Sequence, residues 1–353
     1  MALNEENLTA ILYKVNDLRL EHQPISEPND DEVLLQMEVV GICGTDIHLI
    51  HGVFPFTQPI VIGHESAGTV VKVGKNVQNL KPGDRVAVEP GIVCGHCKYC
   101  SAGRRNLCET LRYAAAPPTD GSLRQYFVYP ANFCLKLPNH VSLEEGALLQ
   151  PLSIGVHACE KGRIYFGSIV LVLGAGPIGL ITLLVAKALG ASKVIITDIV
   201  ESKLSKAKEL GADITVLLEM GETDDVTVEK IKATGYRPTV SIDCVGMEAT
   251  LRTAIRVTQT GGRVVAVGIG KPNLSLPVSD ILMREIDLVG IFRCSKEYPT
   301  ALEMIATGKL DVKPLITHNY KISELLKALD VIRTGEGDPI KVLIHTNSKW
   351  QPE

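Results

Sequence analysis

The sequence predicts a two-domain protein that combines an all-β domain with an α/β domain built on a parallel sheet. Up to about residue 140, short runs of partly alternating apolar and polar residues are separated by Gly- and Pro-containing turns, which is typical of all-β structure. From residue 169, apolar strands alternate with helical stretches, a pattern that predicts a parallel sheet covered on both faces. A chain of 353 residues is long enough for both domains.

Composition and charge exclude several classes of protein. The formal charge of −4 is not the electrostatic footprint of a nucleic-acid-binding protein, and no apolar run is long enough to cross a membrane. The ends of the chain show no pattern of an export, transit or peroxisomal signal, so we expect a cytoplasmic protein. Because thiols stay reduced in the cytosol, nine cysteines indicate a metal-binding or catalytic role.

Metal-ligating side chains concentrate between Gly41 and Gly74. Cys43 precedes His64 and Glu65 by about twenty residues, and His48 lies between them. Thiolate, imidazole and carboxylate are all ligands of zinc, and three protein ligands with an open position are typical of a catalytic zinc. A zinc site of this kind requires that folding bring Cys43 close to His64 and Glu65. The alternative is a buried cysteine beside two ordinary core histidines.

A second metal motif follows in the same domain. Cys94, Cys97, Cys100 and Cys108 have the spacing C-x2-C-x2-C-x7-C. Four thiolates can close a tetrahedral shell with no open position, so this motif predicts a structural zinc. The alternative is four unrelated core cysteines, whereas His96 is expected to be an exposed loop residue.

A helical stretch over residues 141–164 leads towards the α/β domain. Ser142 is its expected N-cap, with Glu145 three residues later as in a capping box. His157 and Cys159 are expected to be packing residues.

The α/β domain opens with a dinucleotide-binding pattern. The apolar run 169–173 enters Gly174, Gly176 and Gly179, a helical stretch follows to residue 189, and a second apolar run ends in Asp198. The glycines permit a tight turn, close approach to a pyrophosphate and close helix–strand packing. Asp198 can accept hydrogen bonds from the ribose hydroxyls and would repel the 2′-phosphate of NADP. The nearby Lys203 could favour a phosphate, but the effect of Asp198 is expected to be larger, so the sequence predicts NAD. The alternative is a glycine-rich turn without a ligand.

The segment from Gly63 to Gly74, Gly-His-Glu-x-x-Gly-x-x-x-x-x-Gly, resembles the signature of the zinc-containing medium-chain alcohol dehydrogenases, most closely their polyol branch, and the resemblance covers essentially the whole chain. It implies a GroES-like β-barrel catalytic domain over residues 1–155, completed by residues 295–353. It also implies a Rossmann doubly wound parallel-sheet domain over residues 156–294, an active site in the cleft between the domains, and a homotetramer.

The resemblance also implies an activity and its residues. The activity is hydride transfer between a polyol, such as sorbitol or xylitol, and NAD, with two zinc ions per chain. The catalytic zinc would be held by Cys43, His64 and Glu65, and its Lewis acidity would lower the pKa of the alcohol. The expected catalytic residues are the relay groups Thr45 and His48, together with Gln150 and Arg293. The expected cofactor contacts are Gly174, Gly176, Ile178, Gly179, Asp198, Lys203, Val267, Gly268, Ile269, Ile291, Phe292 and Arg293.

The sequence departs from the family pattern near the expected substrate. Gln150 stands where the family has a glutamate, which removes a charge and is expected to alter pH dependence and substrate preference. Tyr113 stands where a phenylalanine is usual, whereas Leu49 and Cys294 each replace a tyrosine. Because two hydroxyls are lost at positions 49 and 294, we expect a more apolar pocket. Besides a polyol dehydrogenase, two hypotheses follow: the same scaffold acting on a less polar secondary alcohol, and an NAD-binding protein with little turnover.

Overall fold

The computed structural model describes residues 6–348 together with Trp350 and Gln351. The chain divides into two compact units. The first unit consists of Met1–Gln150 and Tyr298–Glu353, and the second of Pro151–Glu297. The predicted borders, after residues 155 and 294, fall a few residues from these, and the roles assigned to the two parts stay predictions.

Short strands dominate the part of the first unit that precedes the second. The strands are β1 (Asn7–Lys14), β2 (Asp17–Gln23), β3 (Glu32–Gly41), β4 (Ile60–Val61), β5 (Glu65–Val73), β6 (Arg85–Val88), β7 (Gly91–Ile92), β8 (Arg112–Tyr113), β9 (Tyr126–Pro130) and β10 (Cys134–Lys136). The helices are α1 (Gly44–Ile50), α2 (Lys98–Ser101) and α3 (Leu143–Ala147).

The second unit begins within helix α4 (Leu149–Gly162) and alternates strands with helices. The strands are β11 (Ile169–Leu173), β12 (Lys193–Asp198), β13 (Ile214–Leu217), β14 (Val240–Asp243), β15 (Arg263–Ala266) and β16 (Asp287–Gly290). The helices are α5 (Pro177–Ala188), α6 (Glu201–Glu209), α7 (Asp224–Lys232), α8 (Glu248–Val257) and α9 (Val278–Met283).

The six strands of this alternation form one parallel sheet in the order β13-β12-β11-β14-β15-β16. Its central strands are buried, as the sequence pattern predicts: every residue of β14 is buried, and so are four of the five residues of β11. The chain order reverses between β11 and β14, and in open parallel sheets ligands bind outside the carboxyl ends of the strands at such a point.

The chain then returns to the first unit through α10 (Tyr298–Ala306), β17 (Ile316–Lys321), α11 (Leu325–Thr334) and β18 (Lys341–His345). Strand β18 completes the main sheet of this unit, whose order is β10-β6-β5-β3-β18-β17, with β9 also paired to β3. Smaller sheets, β2-β1-β4 and β7-β8, complete the strand pairing. Strand β3 therefore lies between β5, which carries Glu65, and β18, which comes from the far end of the sequence.

The predicted helix over residues 141–164 is split into α3 and α4. Ser142 caps α3 as expected, because its hydroxyl accepts from the N–H of Glu145 while the Glu145 carboxylate accepts from the N–H of Ser142. Pro151 has no N–H to donate to Ala147 and its ring would clash with that carbonyl, so one continuous helix is disfavoured. A new helix that starts at Leu149 places the proline in its first turn, where no such bond is needed.

None of the helices in the described part of the chain combines the length and apolar character needed to cross a bilayer.

Candidate active site

Three of the predicted metal ligands converge in the first unit. Cys43 precedes helix α1, His64 precedes strand β5, and Glu65 is the first residue of that strand. One ligand atom from each of the three lies within 4.8 Å of the others. His64 and Glu65 are buried and Cys43 is half-buried. A thiolate, an imidazole and a carboxylate at this separation fit the donor set of a three-ligand zinc site with an open position.

A buried carboxylate that the sequence analysis missed holds these segments together. Asp46 Oδ2 accepts from the N–H of Cys43 at 2.9 Å, and its Oδ1 accepts from the N–H of Gly63 at 3.0 Å. The same Oδ1 lies 3.6 Å from Nδ1 of His64. A carboxylate facing the second ring nitrogen of a histidine ligand fixes the orientation of the ring. Its position three residues after Cys43, at the third residue of a short helix, was the available signal.

Burial and charge act in opposite directions on this pair. Burial disfavours the charged form of Asp46, but His64 and the two backbone donors hold the pKa of Asp46 below its usual value. Burial likewise opposes protonation of His64, yet Asp46 and Cys43 raise the pKa of His64 well above its usual value. Both shifts show that the carboxylate of Asp46 and the Cys43 side chain favour positive charge at His64, so the cluster is electrostatically suited to a cation.

The two predicted relay residues are both on helix α1. Thr45 Oγ1 lies 3.4 Å from Nε2 of His64, which places the hydroxyl at the ligand cluster. His48 is half-buried, its ring packs edge-on against Phe54 with centroids 5.6 Å apart, and its Nδ1 is buried without a hydrogen-bond partner among the described residues. Thr45 is thus in contact with the cluster, whereas its direct link to His48 stays a prediction.

Gln150 is buried and its amide is oriented by Tyr113. Nε2 of Gln150 donates to the Tyr113 hydroxyl at 3.0 Å, and the Tyr113 ring lies 5.9 Å from the ring of His64. Leu49, in contrast, does not line an open pocket as expected. Its side chain is 3% exposed and belongs to the apolar core of the first unit, because it occupies the inner face of α1.

A further residue missed by sequence reasoning touches the cluster from β18. The ammonium of Lys341 donates to Oε2 of Glu65 at 2.6 Å. The available signal was a lysine in the apolar strand Lys341–His345, where a charge needs a buried partner.

The second group of predicted ligands also comes together in the first unit. Ligand atoms of Cys94, Cys97, Cys100 and Cys108 lie within 4.8 Å of one another. The N–H groups of Cys94 and Cys97 point at the sulfurs of Cys108 and Cys94, both at 3.3 Å. Despite some burial, backbone donors lower the pKa of Cys108 to about 6, whereas burial raises the pKa of Cys100 to about 12. Cys108 is therefore the cysteine of this pair that more readily becomes the thiolate that zinc requires. His96 is exposed and outside the cluster.

The predicted glycine-rich loop connects β11 to α5 in the second unit. Gly174 has a φ of +92°, and a Cβ on Gly179 would lie 1.8 Å from the carbonyl oxygen of Gly174, so both positions require glycine. Gly176 precedes α5, and the space beside its Cα is open. The first N–H groups of α5, including that of Ile178, point out of the helix and can bind an anion.

Asp198 has a role in the loop beyond the one predicted for it. One carboxylate oxygen accepts from the N–H of Ala175 at 2.7 Å, and the other accepts from the N–H of Val200 at 2.9 Å. The side chain therefore ties the end of β12 to the glycine-rich loop. Lys203 is half-buried in the first turn of α6.

The remaining predicted cofactor residues directly follow β15 and β16 in the chain. Val267 and Gly268 donate to the carbonyl of Asp243, which ends the regular pairing of β15. A cavity of about 530 Å³ opens beside this point and is lined by Asp224, Val245, Gly246, Met247, Glu248, Ala249, Arg252, Ile269, Gly270, Lys271 and Leu274. The predicted residues Ile291, Phe292 and Arg293 come directly after β16.

Arg293 has an unusual backbone conformation. Its φ is +56°, and its guanidinium lies 4.8 Å from the centroid of the Phe292 ring, which is half exposed. Positive φ is uncommon outside glycine and occurs often at functional sites.

Comparison with known proteins confirms the predicted family and fold class. The family model "Alcohol dehydrogenase GroES-like domain" matches residues 29–139, and "Zinc-binding dehydrogenase" matches residues 177–307. Sorbitol dehydrogenase of Gallus gallus is 41% identical over 348 residues, which cover 98% of each chain. Sorbitol dehydrogenase of Homo sapiens is 43% identical over 347 residues, which cover 97% of each chain.

A solved structure agrees with these sequence relatives. A protein of E. coli CFT073, described as a short chain alcohol dehydrogenase complexed with NADH, matches with a TM-score of 0.91. It is 29% identical, and the match covers 97% of this chain and 100% of that one. Since relatives above 40% identity match nearly the whole chain and two family models match its two parts, the chain belongs to the zinc-containing medium-chain alcohol dehydrogenase family, within its polyol branch.

Proposed function

We propose that this chain is an NAD-dependent zinc enzyme that interconverts a polyol, such as sorbitol or xylitol, and the corresponding ketose. The observation that carries the proposal is the convergence of Cys43, His64 and Glu65 in a chain more than 40% identical to sorbitol dehydrogenases. When bound, zinc supplies Lewis-acid polarisation of the substrate hydroxyl, and NAD accepts the hydride.

The protein's own groups orient the site and move the proton. Asp46 holds the ring of His64, so that His64 presents Nε2 to the cluster. In our proposal Thr45 receives the proton of the substrate hydroxyl, because its Oγ1 stands at the cluster, and His48 carries the proton onward. Arg293 binds a second hydroxyl of the polyol, since its five N–H donors suit an oxygen-rich substrate.

The four-cysteine cluster is proposed to hold the second zinc, which has a structural role. Its four sulfur ligands leave no position for a substrate. Both proposed zinc sites need reduced thiols, which supports a reducing compartment such as the cytoplasm.

NAD is proposed to bind the second unit at the carboxyl ends of its strands. Gly174, Gly176, Ile178 and Gly179 would receive the pyrophosphate at the start of α5. Asp198 and Lys203 would flank the adenosine ribose. The segments 267–269 and 291–293 would meet the nicotinamide half of NAD.

A second candidate substrate is a less polar secondary alcohol. Phe54 packs against His48, which gives that side of α1 an apolar surface. The hydroxyl of Tyr113 accepts from Gln150, which occupies one of its acceptor positions.

We also propose that the enzyme is a homotetramer in which β16 contributes to an interface. This strand is at the edge of the six-stranded sheet, and Leu288 on it is 39% exposed. Leu282 and Met283 of α9 are 71% and 84% exposed. Exposed apolar residues beside an unpaired strand edge favour association with a second copy.

The substrate class is tested by the initial rates of NAD⁺ reduction with sorbitol, xylitol and 2-butanol. We expect a higher kcat/KM for the polyols, with no turnover by the His64→Ala control because it lacks a metal ligand. Preference for 2-butanol would favour the second candidate. Absence of turnover with all three would leave an NAD-binding protein and contradict the proposal.

Replacement of Asp198 by Asn tests the choice of cofactor. The change removes the charge that repels a 2′-phosphate, so the ratio of kcat/KM for NAD⁺ to that for NADP⁺ should fall by about tenfold or more. Asp213→Asn is the matched control, since Asp213 also accepts from a backbone N–H in the same unit. Wild-type preference for NADP⁺, or an unchanged ratio in Asp198→Asn, would refute the assignment.

Replacement of Gln150 by Glu tests its influence on the substrate. An added negative charge beside the cluster disfavours loss of the hydroxyl proton, so the acidic limb of the kcat/KM profile should move to higher pH. The ratio of polyol to 2-butanol activity should change as well. Gln259→Glu adds the same charge at an exposed position and should leave both unchanged. If Gln150→Glu leaves the pH profile and the activity ratio unchanged, as the control does, the proposed influence of Gln150 on the substrate is wrong.

Replacement of Leu288 by Lys tests the interface. A charge at an apolar contact would be buried on association, so light scattering should show a species smaller than the wild type. Leu326→Lys, at a position 63% exposed on α11 of the first unit, should leave the mass unchanged. An unaltered mass for Leu288→Lys would place the interface elsewhere.

A further inference from the structure

Lys341 and Glu65 meet across a strand that lies between theirs. Gly41, the last residue of β3, pairs with Glu65 of β5 on one side and with Leu343 of β18 on the other. Strands two positions apart in a sheet are separated by nearly 10 Å. Long side chains can therefore meet only if the residue between them leaves the space free.

Gly41 leaves that space free. A Cβ at this position would lie 2.4 Å from Oε2 of Glu65 and 3.3 Å from its Cβ. Any larger residue at position 41 would displace the carboxylate. Because no positive φ is involved at Gly41, the requirement for glycine here is one of space.

The ammonium of Lys341 is held in place from two sides. It donates to Oε2 of Glu65 at 2.6 Å and to the carbonyl of Ile42 at 3.2 Å. The side chains of Lys341 and Glu65 are 3% and 1% exposed. The ammonium and the carboxylate therefore form a buried salt bridge.

We propose that Lys341 is a positioning residue of the metal centre, which occupies one oxygen of Glu65 so that the carboxylate offers only its other oxygen to the metal. The inference rests on the proposed role of Cys43, His64 and Glu65 as metal ligands. In this proposal strand β18 has a function in the site, because Lys341 limits Glu65 to one ligand oxygen. The open position is thereby preserved for the substrate. A carboxylate without this partner can bind through both oxygens.

Cobalt(II) placed at the Cys43–His64–Glu65 cluster, with zinc kept at the four-cysteine cluster, reports the number of ligands through its d–d absorption. Four-coordinate cobalt absorbs more strongly than five-coordinate cobalt. In Lys341→Met the second oxygen of Glu65 becomes available, and zinc-type sites accept a fifth ligand. We expect this variant to lose about half or more of the wild-type d–d intensity per bound cobalt.

Matched variants separate positioning from a general loss of stability. Lys341→Arg keeps the charge and the donors and should restore the wild-type spectrum. Lys136→Met removes another lysine of the first unit that is paired at 2.7 Å with a mostly buried carboxylate, that of Asp84, and should not change the spectrum. If Lys341→Met does not fold, Gly41→Ala tests the same contact from the other side, because its methyl group would separate Glu65 from Lys341 and should weaken the bands.

The outcomes distinguish this inference from the proposed function. A wild-type protein that binds no cobalt at this cluster would refute the metal site itself. A wild-type spectrum of four-coordinate cobalt that persists in Lys341→Met or Gly41→Ala would refute only the role of Lys341. If the d–d bands of Lys341→Arg are as weak as those of Lys341→Met, the packing of the lysine stem, rather than its charge, determines the coordination of the cobalt. That result would also overturn the inference.

Discussion

The site in the first unit depends on one buried carboxylate. Asp46 accepts hydrogen bonds from the N–H groups of Cys43 and Gly63 and faces His64, so a single side chain connects the two segments that carry the proposed ligands. These segments lie about twenty residues apart in sequence. Loss of one partner from a buried charged network typically costs about 3–5 kcal/mol, so the geometry of the cluster and the local stability are coupled through this residue.

Charged side chains also fix other segments that carry predicted site residues. Lys341 engages one oxygen of Glu65, and Asp198 joins the end of β12 to the glycine-rich loop. In each case a charged side chain fixes a segment that carries predicted site residues, and its partners are backbone N–H groups or a facing charge. The first unit thus supplies a preorganised ligand cluster, and the second supplies a rigid loop at the start of α5.

The sequence was informative where function is encoded in local spacing. The four cysteines lie within fifteen positions, and the glycine-rich loop is a continuous strand–turn–helix unit, so both could be recognised without knowledge of the tertiary structure. The alternation of strands and helices likewise predicted the parallel sheet. Ser142 and Glu145 form the expected capping box because both partners are three residues apart.

Features that depend on tertiary contacts could not be read in this way. Lys341 meets Glu65 from 276 residues away, and Tyr113 orients Gln150 through a contact between distant segments. Leu49 was assigned to a pocket from its position in the family pattern, but the inner face of α1 places it in the core. Pro151 divides a helix that the apolar pattern predicts as continuous.

The most direct measurement of the central claim is zinc per chain in the wild type and in Cys43→Ala, with Cys134→Ala as a buried-cysteine control. Our account predicts two zinc ions in the wild type and the control, and one in Cys43→Ala together with loss of NAD⁺ reduction. A Cys43→Ala protein that retains both zinc ions and its activity would contradict it.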